Sequence, residues 1–299
     1  MPGRLAGGRT PARPDPVADV LVVRRRDALQ AALAEWRGAG HSIALVPTMG
    51  ALHAGHVSLM TIAGRAADRV VASLFVNPRQ FSAGEDLARY PRDEAGDLAT
   101  MARAGVGLCY APPADDIYPP GFATTVRVAR LGDDLCGLAR PGHFEGVATV
   151  VTKLLLRVLP DYAVFGEKDW QQLVIIRRLV ADLDIPVRIL SGPTVREGDG
   201  LALSSRNAYL TPGQRRIAPM LHQTLQETRS RLAAGQPAAV ACQAAGQALV
   251  AAGFSDVDYV TVRDAATLGP AADPGAAARR ILAAARLGAT RLIDNIGAD

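Results

Sequence analysis

The chain has 299 residues and carries 33 Lys and Arg against 29 Asp and Glu, a formal charge of +4, with 49% hydrophobic and 21% charged residues. That balance can build a sizeable core and argues against global disorder. No apolar run reaches the ~18–20 residues of a membrane span; the longest, 147–159, is broken by Lys153 and Arg157. Scattered arginines and 5% aromatics give no footprint for nucleic acid, so neither nucleic acid nor membrane is expected as a partner. Cys109, Cys136 and Cys242 lie far apart and outside CxxC spacing, which argues against disulfides and structural zinc and for a reducing, cytoplasmic compartment.

Residues 1–19, rich in Gly, Pro and Arg but without an apolar h-region, read as a flexible tail and not a secretory signal. The spacing of Leu29, Leu33 and Trp36 predicts a helix over 26–37, stopped by Gly38 and Gly40. The apolar run 42–46 reads as a buried strand, passing through Pro47-Thr-Met-Gly50 into a helix over 55–67. A strand over 69–76, a helix over 94–104 and a strand near 107–110 follow. The stretch 115–122 is proline-rich and irregular, and 124–128 is β-branched. Next come a helix over 147–159, a strand over 162–165, a helix over 169–182 and a strand over 186–190. This alternation predicts an α/β fold: a Rossmann-like parallel sheet domain over 20–195 with right-handed crossovers. Alanine-rich helices over 214–234 and 238–252, then strands near 258–263 and 279–287, predict a smaller C-terminal α+β domain over 196–299.

The most informative segment is VPTMGALHAGH at 46–56, where a buried strand gives way to a helix. In an open parallel sheet that junction is the usual ligand crevice, and the helix start offers free N–H groups to phosphate. His53 and His56, three residues apart, can donate to a triphosphate and stabilise charge on the α-phosphate as pyrophosphate leaves. Zinc would need a third ligand that the spacing does not supply, and one histidine could simply cap the helix. Of the 33 basic residues only Lys153 and Lys168 are lysines. A compact ammonium is not replaceable by arginine against a phosphate oxygen, which singles out Lys168 in FGEKD at 165–169. Asp169 either caps the following helix or meets ribose hydroxyls. Ser204, Ser205 and Arg206 read as a mobile anion clamp or as a solvated turn. Gln80 and Gln172 offer amides suited to a small acid bearing hydroxyls. No P-loop, dinucleotide fingerprint or nucleophile elbow is present.

Together these motifs resemble the pantoate–β-alanine ligase family: PTMGALHAGH at 47–56, FVNPRQF at 75–81, GEDLARYPR at 84–92, PGHFEGVATVVTKLL at 141–155, FGEKDWQQL at 165–173, DGLALSSRNAYL at 199–210 and LGATRLIDN at 287–295. The resemblance implies a cytoplasmic homodimer that condenses pantoate with β-alanine, using ATP and Mg²⁺ and passing through a pantoyl adenylate. It implies that Met49, Gly50, Ala51, Leu52, His53, Ala54, Gly55 and His56 line the ATP site, with His56, His53 and Lys168 catalytic. Gly166, Glu167, Lys168, Asp169, Val195, Leu203, Ser204, Ser205 and Arg206 are expected on ATP as well, the Ser-Ser-Arg loop closing on binding. Gln80 and Gln172 are expected on pantoate, with Gln80 also reaching β-alanine. No metal-ligand set can be read. Arg79 stands where methionine is common in the family and Asp93 where threonine is; Arg79 places a charge beside the pantoate glutamine. The rival reading is another nucleotidyltransferase of the same fold, whose phosphorylated acceptor calls for basic residues where the two glutamines stand.

Overall fold

Strand β2 (Ile43–Thr48) is apolar along its length because both of its faces are covered. Ile43 and Leu45 face one helical layer, and Ala44 and Val46 face the other. The computed structural model describes residues 19–82, 85–271 and 278–299, so most of the expected N-terminal tail lies outside the described residues. Around β2 lie β1 (Leu21–Val23), β3 (Arg69–Leu74), β4 (Leu108–Tyr110), β5 (Tyr162–Gly166) and β6 (Arg188–Gly192). Their order is β1-β4-β3-β2-β5-β6 and every neighbouring pair is parallel. Helices α1 (Arg26–Gly38), α6 (His143–Val158) and α7 (Trp170–Asp182) pack on one face, while α2 (Ala54–Ala66) and α3 (Glu94–Arg103) cover the other. Two single-turn helices, α4 (Ala114–Ile117) and α5 (Cys136–Ala139), punctuate the long link between β4 and α6. The β-branched stretch 124–128 forms no regular element.

The chain leaves β2 toward β3 on one side and returns through β5 on the other. The crevice therefore opens above the carboxyl ends of β2 and β5, at the switch point of the sheet.

The remainder forms a three-stranded antiparallel sheet of β7 (Asp256–Asp264), β8 (Arg279–Leu287) and β9 (Thr290–Gly297), with α8 (Pro212–Ile217), α9 (Met220–Ala233) and α10 (Ala238–Ala252). Leu221, Leu225 and Leu249 pack on Ile281, Ala283 and Leu292 to make its core. The single helix expected over 214–234 is two, because Pro219 lacks the N–H that a continuous helix requires there. Trp170 and Val174 of α7 pack against Tyr259 and Leu282, joining this sheet to the first. Among the described residues no helix is long and apolar enough to cross a membrane.

Candidate active site

Between β2 and α2 the chain reverses through Gly50 (φ +87°) and Ala51 (φ +51°). A side chain at Gly50 would meet the Asp97 carboxylate at 2.8 Å. That buried carboxylate, on α3, accepts from the N–H groups of Ala51 (3.0 Å) and Leu52 (2.8 Å) and so fixes the turn.

The turn delivers the two histidines in a reciprocal cap. His53 Nδ1 accepts from Gly55 N–H at 3.1 Å, and His56 Nδ1 accepts from His53 N–H at 3.2 Å. With both Nδ1 atoms acting as acceptors, each neutral ring carries its proton on Nε2. Burial holds both imidazoles far below the usual histidine value, His53 at about 4 and His56 at about 3. The Lys168 ammonium adds to the depression in both, and His53 adds to it in His56. The capping role that the sequence offered for one histidine is thus filled by both, and it leaves each ring a neutral Nε2–H.

Lys168 comes from the other side of the switch point, in the 3-10 turn Glu167–Asp169 that links β5 to α7. It lines, with His53 and His56, a cavity of about 240 Å³ whose walls also include Met49, Gly55, Gln80, Gly166, Asp169, Gln172, Val195, Leu203, Ser204, Ser205 and Arg206. Of the residues singled out in the sequence, Gly50, Ala51, Leu52, Ala54 and Glu167 are absent from those walls. Gly50, Ala51 and Leu52 shape the turn, and Ala54 opens α2. Glu167 faces Ser191 (3.0 Å) and Arg280 (3.5 Å).

Gln80 is held by a network that the sequence does not disclose. Asn77 donates to Gln80 Oε1 at 3.0 Å and to the Gly146 carbonyl at 3.1 Å, while Tyr118 O–H donates to Asn77 Oδ1 at 2.8 Å. Gln80 Nε2 is left toward Met49 Sδ, 2.9 Å away. The main-chain carbonyl of Gln80 accepts from His143 Nδ1 at 2.7 Å and from Arg140 at 3.3 Å. Arg140 in turn pairs with Glu85. Burial, then the Arg140 charge, lower His143 to about 4. Arg79 is not in the cavity wall; its guanidinium lies 5.3 Å from the Tyr118 ring and 5.2 Å from the Phe122 ring. Phe122 also receives Lys153, at 4.6 Å.

The Ser-Ser-Arg loop is tied to the segment 86–90 by two side chains. Arg206 forms a two-pronged pair with Asp86, both contacts 2.9 Å, and Ser205 lies 3.2 Å from the Tyr90 hydroxyl. Beyond this loop lies a second cavity of about 670 Å³, and Lys168, Asp169, Ser204 and Arg206 line both. No local pattern in the sequence singles out Asp86 and Tyr90, although GEDLARYPR marks their segment.

A parallel sheet whose switch-point crevice gathers imidazole, ammonium and guanidinium donors is the architecture of a nucleotide-binding α/β enzyme. The pantoate-beta-alanine ligase family model matches residues 21–297. The pantothenate synthetase of Paramagnetospirillum magneticum is 59% identical over 280 residues, covering 94% of this chain and 98% of that protein. That of Rhodospirillum rubrum is 53% identical over 277 residues, 92% of this chain and 98% of its own. Among solved structures, pantothenate synthetase from Thermus thermophilus superposes with a TM-score of 0.88 at 46% identity, covering 93% of this chain and 99% of that one. The Francisella tularensis pantoate-beta-alanine ligase, complexed with beta-gamma ATP and beta-alanine, gives 0.80 at 32% identity, covering 93% and 98%. The chain belongs to the pantoate–β-alanine ligase family, and its reaction is the ATP-dependent condensation of pantoate with β-alanine to pantothenate.

Proposed function

We propose that the cavity first joins pantoate to AMP and then transfers the pantoyl group to β-alanine. A free carboxylate is a poor acyl donor because its leaving group is oxide; a mixed anhydride leaves as AMP. In the first step a pantoate carboxylate oxygen attacks the α-phosphorus and the bond to pyrophosphate breaks. The Nε2–H groups of His53 and His56 and the Lys168 ammonium then face the oxygens on which charge builds. In the second step the β-alanine amine attacks the acyl carbon, AMP departs and the amine gives up a proton.

Gln80 and Gln172 hold pantoate through uncharged amides, Gln80 being aligned by Asn77 and His143. The observation that carries this reading is the reciprocal histidine cap, which spends both Nδ1 atoms on the main chain and leaves two neutral donors beside Lys168. A proton donor is not required of His56.

Among the described residues no three acidic or sulfur or imidazole groups cluster as metal ligands. Glu85 and Asp86 are taken by arginines, while Asp169 faces the cavity. This fits a magnesium ion held mainly by phosphate oxygens and water, with Asp169 as its one protein carboxylate. Such an ion, when bound, screens the triphosphate charge.

Arg206 and Ser204–Ser205 close over the nucleotide by exchanging the Asp86 contact for phosphate. The chain acts as a cytoplasmic homodimer, and its catalytic and C-terminal units divide near residue 195. The test is pyrophosphate release: it should require ATP, magnesium and pantoate but not β-alanine, with AMP appearing freely only once β-alanine is added. Pyrophosphate release without pantoate would overturn the adenylate route. Light scattering at micromolar concentration tests the dimer.

A further inference from the structure

The segment LGATRLIDN at 287–295 contributes nothing to the walls of the main cavity. It nevertheless ends in two residues that strands disfavour, Asp294 and Asn295, each buried within β9. Both are fully engaged. Asn295 Nδ2 donates to the carbonyls of Glu167 (3.0 Å) and Lys168 (2.8 Å), while its Oδ1 accepts from Arg280 Nε. Arg280 lies 3.5 Å from the centroid of the Trp170 ring, the first residue of α7. Asp294 takes two nitrogens of Arg196 at 2.6 and 2.9 Å, and Arg196 donates onward to the Gly200 carbonyl at 3.0 Å. Successive residues of one strand thus grip both turns that bring Lys168 and the 195–206 loop to the cleft.

The pattern at Asn295 is one that only a short amide satisfies. Two consecutive carbonyls need two N–H donors, and the neighbouring guanidinium needs an acceptor on the same group. Aspartate supplies acceptors alone and serine a single donor. Lysine carries its charge on a flexible four-carbon stem, so the place of its Cα decides which phosphate oxygen it can reach.

We propose that Asn295 is a positioning residue for adenylation: through the Glu167 and Lys168 carbonyls it holds the turn that aims Lys168 at the nucleotide phosphates. Asp294 does the same, through Arg196, for the loop that follows Val195. The proposal rests on Lys168 as a nucleotide contact.

Asn295→Asp keeps the shape and removes both donors. In the full chain, pantoate-dependent pyrophosphate release reports the first half-reaction, and β-alanine added to pre-formed adenylate reports the second. Expected is a loss of about 10- to 100-fold in kcat/KM for ATP, the cost of displacing a reacting contact, with an unchanged rate of capture by β-alanine. In a Lys168→Ala background the same substitution adds no further loss. If Asn295→Asp fails to fold, Asn295→Ser, uncharged and with one donor, is read by the same split. Equal losses in both half-reactions, a lower Tm with unchanged ATP kinetics, or full additivity with Lys168→Ala overturns the proposal. Wild-type ATP kinetics in Lys168→Ala alone overturns the reading of Lys168 and the proposal with it.

Discussion

Gly146 lies in the first turns of α6, against the backbone that carries Gln80. A methyl group there would sit 2.2 Å from the Arg79 carbonyl oxygen and 2.6 Å from the Gln80 nitrogen. Ordinary contact begins near 3.4 Å, so the turn Pro78–Gln80 must retreat by about 1.2 Å. It cannot do so freely, because Asn77 ties it to the Gly146 carbonyl and His143 and Arg140 hold the Gln80 carbonyl. Gly146→Ala should therefore cost about 1–3 kcal/mol of stability by overpacking. An ångström's displacement of Gln80 should lower kcat/KM for pantoate by about 10²-fold, with the KM for ATP little changed. Steady-state kinetics with each substrate varied in turn, beside thermal unfolding, separates the two effects. Gly246→Ala is the control: nothing lies within 4 Å of its new methyl in α10, and helix propensity should raise stability by up to about 1 kcal/mol. Wild-type pantoate kinetics in Gly146→Ala would refute the placement of pantoate on Gln80.

Other substitutions read the remaining groups. His56→Ala should slow adenylation by about 10²–10³-fold, the usual worth of one preorganised donor; an unchanged single-turnover rate would remove it from the chemistry. Lys168→Arg keeps the charge but should lose at least about tenfold in kcat/KM for ATP, since a planar fork does not replace a compact ammonium; full activity would sink the lysine argument. Asp86→Asn weakens the 2.9 Å pair that Arg206 must give up on closing and should lower the KM for ATP while leaving that for β-alanine alone; a raised KM would refute the exchange. His53, His56 and His143 sit near 4, 3 and 4 in the folded chain, against about 6.5 when unfolded. The unfolded chain takes up these protons first, so stability is complete above about pH 6.5 and falls toward pH 4. Urea midpoints across that range check it, and a flat profile would refute the burial of neutral rings.

The parallel core was legible because doubly covered strands such as β2 write themselves as unbroken apolar runs. Three features were hidden for physical reasons. β1 has three residues at a sheet edge, too few for periodicity to register. The expected start of α6 at residue 147 stopped at Gly146, which reads as a weak helix former. That glycine stands inside the helix, where its missing Cβ admits the Arg79 carbonyl. β9 gives no strand signal because Asp294 and Asn295 break strand propensity for the sake of bonds to Arg196 and the Lys168 turn. At the cleft, the motif residues His53, His56, Lys168 and Gln80 line one cavity, as their places just after strands lead one to expect. Asp97, His143 and, for Arg206, Asp86 leave no local signal, since a hydrogen bond across 46, 63 or 120 residues makes no pattern in the sequence.

The crevice has one wall from β2 and the other from β5, strands that are neighbours in space though nearly 120 residues separate their starts. A ribosome that has released only the first 160 residues has therefore made both histidines but no place for a nucleotide to sit. Closing so long a loop is slow, and catalytic competence waits until β5 docks beside four strands already in place and the segment 195–206 follows it.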